Sequence, residues 1–166
     1  VVKNRKPGTE VQITGIDTTP RSLLSDDTPA RLAELFALYL RQYPTVRLRY
    51  DRKAVDPTAL EDHVEDCEVE GVTNAQGEVV PVSLTVIEWK TKVERELVLC
   101  DADGFALSNR NVGIHAKGVN FTAYVKSTLV RDLYEANFLD FEDLHPQLRG
   151  LIDAAKAKFQ RYFGRR

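Results

Sequence analysis

Methionine is absent from this chain, and cysteine, histidine and tryptophan are scarce, at two, three and one residues. Cys67 and Cys100 stand in separate strand-like stretches and make no CxxC pair, which argues against a disulfide scaffold and leaves buried free thiols as the expectation. His63, His115 and His145 are far apart and none shows a zinc spacing. No run of about 18 apolar residues occurs, so no segment reads as a membrane-spanning helix. No signal peptide is visible. There is no GxxxxGK[ST] loop to cradle a phosphate and no GxSxG elbow to carry a nucleophile. A formal charge of −2 gives no strong field for nucleic acid or a membrane surface. With Val1 first and no methionine anywhere, the chain is expected to be a piece of a longer, cytoplasmic protein.

What is present suits a single domain, or one domain with the edge of another. The 166 residues are 43% apolar and 29% charged, enough for a real core beneath a mixed-sign surface. Residues 10–16 alternate and read as a strand, followed by a linker over 17–27 rich in Thr, Ser, Asp and Pro. Thr28 is placed to cap a helix with Pro29 in its first turn, and Leu32, Leu35, Phe36 and Tyr39 form the stripe expected to face a core. Pro44 ends that helix. Val46, Leu48 and Tyr50 alternate with Arg47, Arg49 and Asp51, and Asp56-Pro57 opens a short helix.

Strands follow over 66–73, 79–89 and 93–100, with turns at Asn74-Ala75-Gln76-Gly77 and Asp101-Ala102-Asp103-Gly104 and a brief strand over 105–107. A loop is expected over 108–118 and a strand over 120–126. A helix follows from Leu129 to about residue 138. A last helix starts near His145-Pro146, with Leu148, Leu151, Ile152, Ala155, Phe159 and Phe163 as its stripe. This order predicts an α+β fold, a two-layer sandwich with helices on one face of a mixed sheet.

Chemistry is sparse. His63 sits among Glu61, Asp62, Glu65 and Asp66, which reads as a surface ion cluster, and Asp101 with Asp103 reads as a tight turn because no acid closes a calcium set. The Gly-bounded loop 113–118 carries His115 and Lys117, and loops of that kind often hold function. Lys126-Ser127 stands where a strand stops and a helix begins, with Arg131 one turn further on. A cation on a rigid strand end suits phosphoryl chemistry, in which negative charge spreads over the transferred group. The plain alternative is a surface lysine followed by a capping serine.

Several of these residues resemble a known family. Gly8-Thr9-x-Val11-x-Ile13 looks like the closing strand of the ATP-binding domain in the superfamily of gyrase B, the mismatch-repair protein MutL and the ninety-kilodalton heat-shock chaperone, the GHKL ATPases. The stretches Arg31–Leu40 with Tyr43-Pro44, Tyr50-Asp51 with Asp56-Pro57, and Asn120–Ser127 are similar to stand-alone bacterial proteins of that superfamily. The resemblance implies that residues 1–18 are the closing strand of an ATP-binding domain plus linker. Residues 19–166 would be the transducer domain, with the fold of the second domain of a ribosomal small-subunit protein and its left-handed βαβ crossover. It also implies that Gly8 and Thr9 help hold adenine. The γ-phosphate sensor would be Lys126, with Arg131 and Lys117 as weaker alternatives, although no Gln-Thr-Lys tripeptide of the gyrase kind is present. ATP and Mg2+ would belong to the full-length parent, with no cofactor expected in this fragment, since the superfamily's catalytic glutamate, magnesium-binding asparagine and glycine-rich lid lie upstream of Gly8. The fragment alone would not hydrolyse ATP. Its partners would be its own N-terminal ATP-binding domain, a second copy in a homodimer and a protein client.

A different class of function competes. Arg47, Arg49, Arg52 and Lys53, with Arg161, Arg165 and Arg166, would form the basic face of a non-catalytic interaction module for a protein or nucleic-acid partner. The net charge of −2 disfavours nucleic acid.

Overall fold

The computed structural model describes residues 25–111, 118–141 and 145–164, together with Gln12, Thr14, Gly15 and Thr18. Gly8, Thr9, Lys117, His115 and most of the strand expected over 10–16 lie outside the described residues.

The first helical stretch is divided into α1 (Thr28–Leu35) and α2 (Ala37–Gln42), with Phe36 at φ −99°, ψ 7° between them. Pro29 sits in the first turn, where its missing N–H costs nothing. The cap position is Asp27, not Thr28, and no side chain caps the helix. The buried face also differs from the expected stripe. Leu35 is 42% exposed, while Ala33, Ala37 and Leu38 are buried together with Glu34. Small residues let the helix axis lie close to the sheet. Phe36 and Tyr39 instead meet Phe105 edge-on, at ring separations of 5.7 and 6.0 Å.

A small ribbon follows, made of β1 (Leu48–Tyr50) and β2 (Lys53–Val55), paired antiparallel across the two-residue turn Asp51-Arg52. Both turn residues have positive φ, at 45° and 65°, as the tightest hairpin turns require. Pro57–Ala59 is a single 3-10 turn whose expected cap holds: the Asp56 carboxylate accepts from the Thr58 N–H at 3.0 Å.

The main sheet has five strands: β3 (Glu61–Glu68), β4 (Ser83–Trp89), β5 (Glu96–Cys100), β6 (Ala106–Asn111) and β7 (Phe121–Lys126). Their order is β3-β4-β7-β5-β6, so the last strand in sequence is inserted at the centre. Only the β5–β7 pair is parallel; the other three pairs are antiparallel. Both expected turns are present. Asn74 Oδ1 accepts from the N–H groups of Gln76 and Glu78, and the Gly104 N–H donates to the Asp101 carbonyl at 3.0 Å.

Two expected boundaries move. β3 begins at Glu61, ahead of the strand expected over 66–73, and β6 takes in Ser108–Asn111, where a loop was expected. Both are edge strands. Their polar residues face water or guard an open edge, so the apolar alternation that signals a strand is missing.

The sheet is covered on both faces. On one, α3 (Thr128–Glu135) and α4 (Pro146–Gly164) bury Val130, Leu133, Leu148, Leu151, Ile152 and Phe159 against Leu84, Val86, Leu97, Leu99, Phe121 and Val125. Each fully buried side chain of this size contributes roughly 1.5–3 kcal/mol. On the other face, Ala37 and Leu38 meet Ile87, Trp89, Val98, Cys100 and Tyr124. The fold is therefore α+β on a mixed sheet, but the expected placement of helices on one face is corrected. The central strands are apolar on both sides and require two covering layers. The expected βαβ crossover is corrected too: among the described residues no helix stands between the parallel neighbours β5 and β7, and β6 stands there instead.

Candidate functional site

Lys126 is the last residue of β7, held between Ser83 of β4 and Cys100 of β5. Strand alternation puts it on the same face as Thr122 and Tyr124, under α1 and α2. Its Nζ donates to Oε1 of Gln42, the last residue of α2, at 3.0 Å. The Gln42 amide donates in turn to the Ala102 carbonyl and to the Tyr43 hydroxyl, each at 3.4 Å. The Tyr43 hydroxyl donates to Asp103 Oδ1 at 2.8 Å, and that bond raises the phenol above its ordinary pKa. The end of α2 is thus tied both to the ammonium and to the turn between β5 and β6.

That turn is built around Asp101, whose buried carboxylate accepts from the N–H groups of Asp103 and Phe105 at 3.0 and 2.9 Å and receives the guanidinium of Arg131. Arg131 also lies 3.8 Å from Glu135, and its bond to Asp101 raises its pKa. Arg131 neutralises a charge that could not stay buried alone. Of the two described cation candidates, only Lys126 is held by a neutral group.

Ser127 follows Lys126 and caps α3, as the plain alternative reading of this pair had it. Its Oγ accepts from the Leu129 N–H at 3.3 Å and donates to the Pro81 carbonyl at 2.9 Å, which commits the hydroxyl. Lys126, Ser127 and Thr128 line a cavity of about 440 Å³ together with Glu68, Glu70 and Ala102. Among the described residues no three His, Cys, Asp or Glu side chains gather to hold a metal ion. No described helix is long and apolar enough to cross a membrane.

The basic residues do not make one face. Arg49, Arg52 and Lys53 are exposed on the β1–β2 ribbon, which lies against α1, whereas Arg161 is on α4 across the sheet. Arg165 and Arg166 lie outside the described residues.

One feature escaped the sequence reading. Glu34 is 4% exposed beneath α1 and accepts from the Thr122 hydroxyl at 2.8 Å, which itself accepts from Trp89 Nε1 at 3.0 Å. The Tyr124 hydroxyl donates to the Glu34 carbonyl at 2.5 Å, and Arg31 pairs with the carboxylate at 3.0 Å. Burial pushes the Glu34 carboxyl above its ordinary pKa, while the Thr122 bond and Arg31 pull it back. Arg31, Glu34 and Glu96 line a groove of about 660 Å³ beside α1. The available signal was an acid on the Ala33, Ala37 and Leu38 face, opposite a strand carrying Thr122 and Tyr124 among apolar neighbours.

Compared with known proteins, the chain matches no family model, no curated protein and no solved structure.

Proposed function

We propose that this domain is the transducer of a GHKL-type ATPase, which couples ATP binding and hydrolysis in an adjacent domain to a change of conformation. In this role Lys126 supplies positive charge to the γ-phosphate. The carrying observation is the position of Lys126: on the final residue of a central strand, beside a helix N-terminus, with a neutral carboxamide as its partner. An ammonium has three N–H donors, and Gln42 takes one of them.

ATP is the substrate, and the residues that bind and cleave it are assigned to an upstream domain, as is the accompanying Mg2+. The chain's own contribution is electrostatic. Charge spreads over the γ-phosphoryl oxygens during transfer, and a cation fixed in advance stabilises it without reorganisation. ATP binding would draw Lys126 inward. The α1–α2 layer, the sheet and the α3–α4 layer, joined by continuous packing, would turn as a unit toward a second subunit or a protein client. The finer fold assignment, to the family of the second domain of a ribosomal small-subunit protein, belongs to this proposal. It takes the form of a variant with helices on both faces and with β6, rather than a helix, among the described residues between the parallel strands β5 and β7, and the cellular setting we assign is the cytoplasm.

The test is steady-state ATP turnover in the full-length protein. Lys126→Ala should lower kcat by roughly a hundredfold with little change in nucleotide affinity. Turnover equal to wild type would remove Lys126 from the mechanism.

A further inference from the structure

We infer that Gln42 is a positioning residue for Lys126, and that the Asp101–Gly104 turn is the seat that holds it. The inference rests on the function proposed above. A lysine side chain carries four rotatable bonds, and fixing its ammonium costs conformational entropy that is otherwise lost when it meets a ligand. Here that cost is met within the chain. Gln42 Oε1 accepts from Nζ at 3.0 Å and leaves two donors for an incoming anion.

The carboxamide is itself held from two sides. Its nitrogen donates to the Ala102 carbonyl of the turn and to the Tyr43 hydroxyl, and the latter donates onward to Asp103 of the same turn. The seat is close-packed. A Cβ on Gly104 would stand 3.3 Å from the Leu38 carbonyl carbon, from Leu38 Cγ and from the Tyr39 nitrogen, so α2 rests directly on the turn. Beneath it, Asp101 closes the turn from inside and is neutralised by Arg131. A displacement of α2 therefore reaches Lys126 through one side chain, and the two described cation candidates are attached to one structural unit. Gln42 contributes no charge, so the ammonium keeps its full attraction for phosphate, which a carboxylate in the same place would cancel.

Two measurements test this. The first uses the chain as it stands: the rate at which an amine-reactive acylating reagent modifies Lys126, followed by peptide mass spectrometry. Acylation requires an accessible amine free to turn toward the reagent, and an oxygen acceptor bonded to Nζ holds it back. Gln42→Ala should speed modification of Lys126 severalfold, whereas Gln42→Glu, which keeps an oxygen acceptor, should leave it as slow as wild type or slower. An unchanged rate in Gln42→Ala overturns the pairing.

The second uses ATP turnover in the full-length protein. Gln42→Ala should lower kcat about fivefold to tenfold, the scale of ordering one long side chain, with KM unchanged. In a Lys126→Ala background it should change nothing more. If Lys126→Ala is itself without effect, the ATPase reading fails and takes the inference with it. If Lys126→Ala impairs turnover while Gln42→Ala is silent, or while Gln42→Ala still acts in the Lys126→Ala background, the positioning role alone fails.

Discussion

Glu34 shows how one residue can couple two layers. Its carboxylate reaches from α1 to Thr122 on the central strand, and its backbone carbonyl receives Tyr124, so the helix is held to the sheet by bonds that exclude water. Replacing Glu34 with Ala leaves the Thr122 hydroxyl without that acceptor and should cost about 1–3 kcal/mol. The pH dependence has a definite sign. Burial raises the Glu34 carboxyl above 4.5, so the folded state holds the proton more tightly than the unfolded chain. The group's contribution to stability is fully present below 4.5 and is lost as pH rises through the folded-state pKa. Glu34→Gln, which never ionises, should therefore gain on wild type across that window in urea unfolding series. Parallel pH curves for the two proteins would show that Glu34 does not titrate this way.

Two caps were legible at this scale because their chemistry is local, whereas Thr28 does not cap its helix. Asp56 and Ser127 satisfy N–H groups two residues ahead, and residue type with position is enough to foresee it. Lys126 was legible as a strand-end cation. Gln42, more than eighty residues away, was not, because only the assembled sheet brings the two together. Arg131 was read as a weaker alternative sensor, and its pairing with Asp101 was not legible, because no local pattern reveals that Asp101 is buried.

At the scale of elements, the junction between α2 and the β5–β6 turn determines how precisely Lys126 is placed. Gly104 and Gly77 offer a matched comparison, with φ at 78° and 80° in tight turns. Alanine at Gly77 meets nothing within 4 Å and should cost only the left-handed backbone, about 1–2 kcal/mol. Alanine at Gly104 meets α2 at 3.3 Å and should cost roughly 2–4 kcal/mol, because the helix must lift from its seat. Equal losses in urea unfolding would mean that α2 is not seated on that turn. The central strands β4, β5 and β7 were legible from their apolar runs, whereas the edges β3 and β6 were misjudged because edge strands carry polar residues on purpose. The α1–α2 stripe was misread for a related reason: bulk was taken as the sign of burial, but close approach to a sheet favours alanine.

At the scale of the molecule, a sheet covered on both faces carries Lys126, a strand-end cation with a neutral partner, to the margin of the α1–α2 layer. Helix and strand content placed the fold class. The second covering layer depended on which face of each central strand was apolar, and both were. The central claim is that Lys126 meets the γ-phosphate of ATP held by an upstream domain. It is tested most directly by the acylation rate of Lys126 in the full-length protein, with a non-hydrolysable ATP analogue or with ADP bound. The account predicts severalfold slower modification with the triphosphate than with the diphosphate. Equal rates in the two states, with nucleotide binding verified, would contradict it.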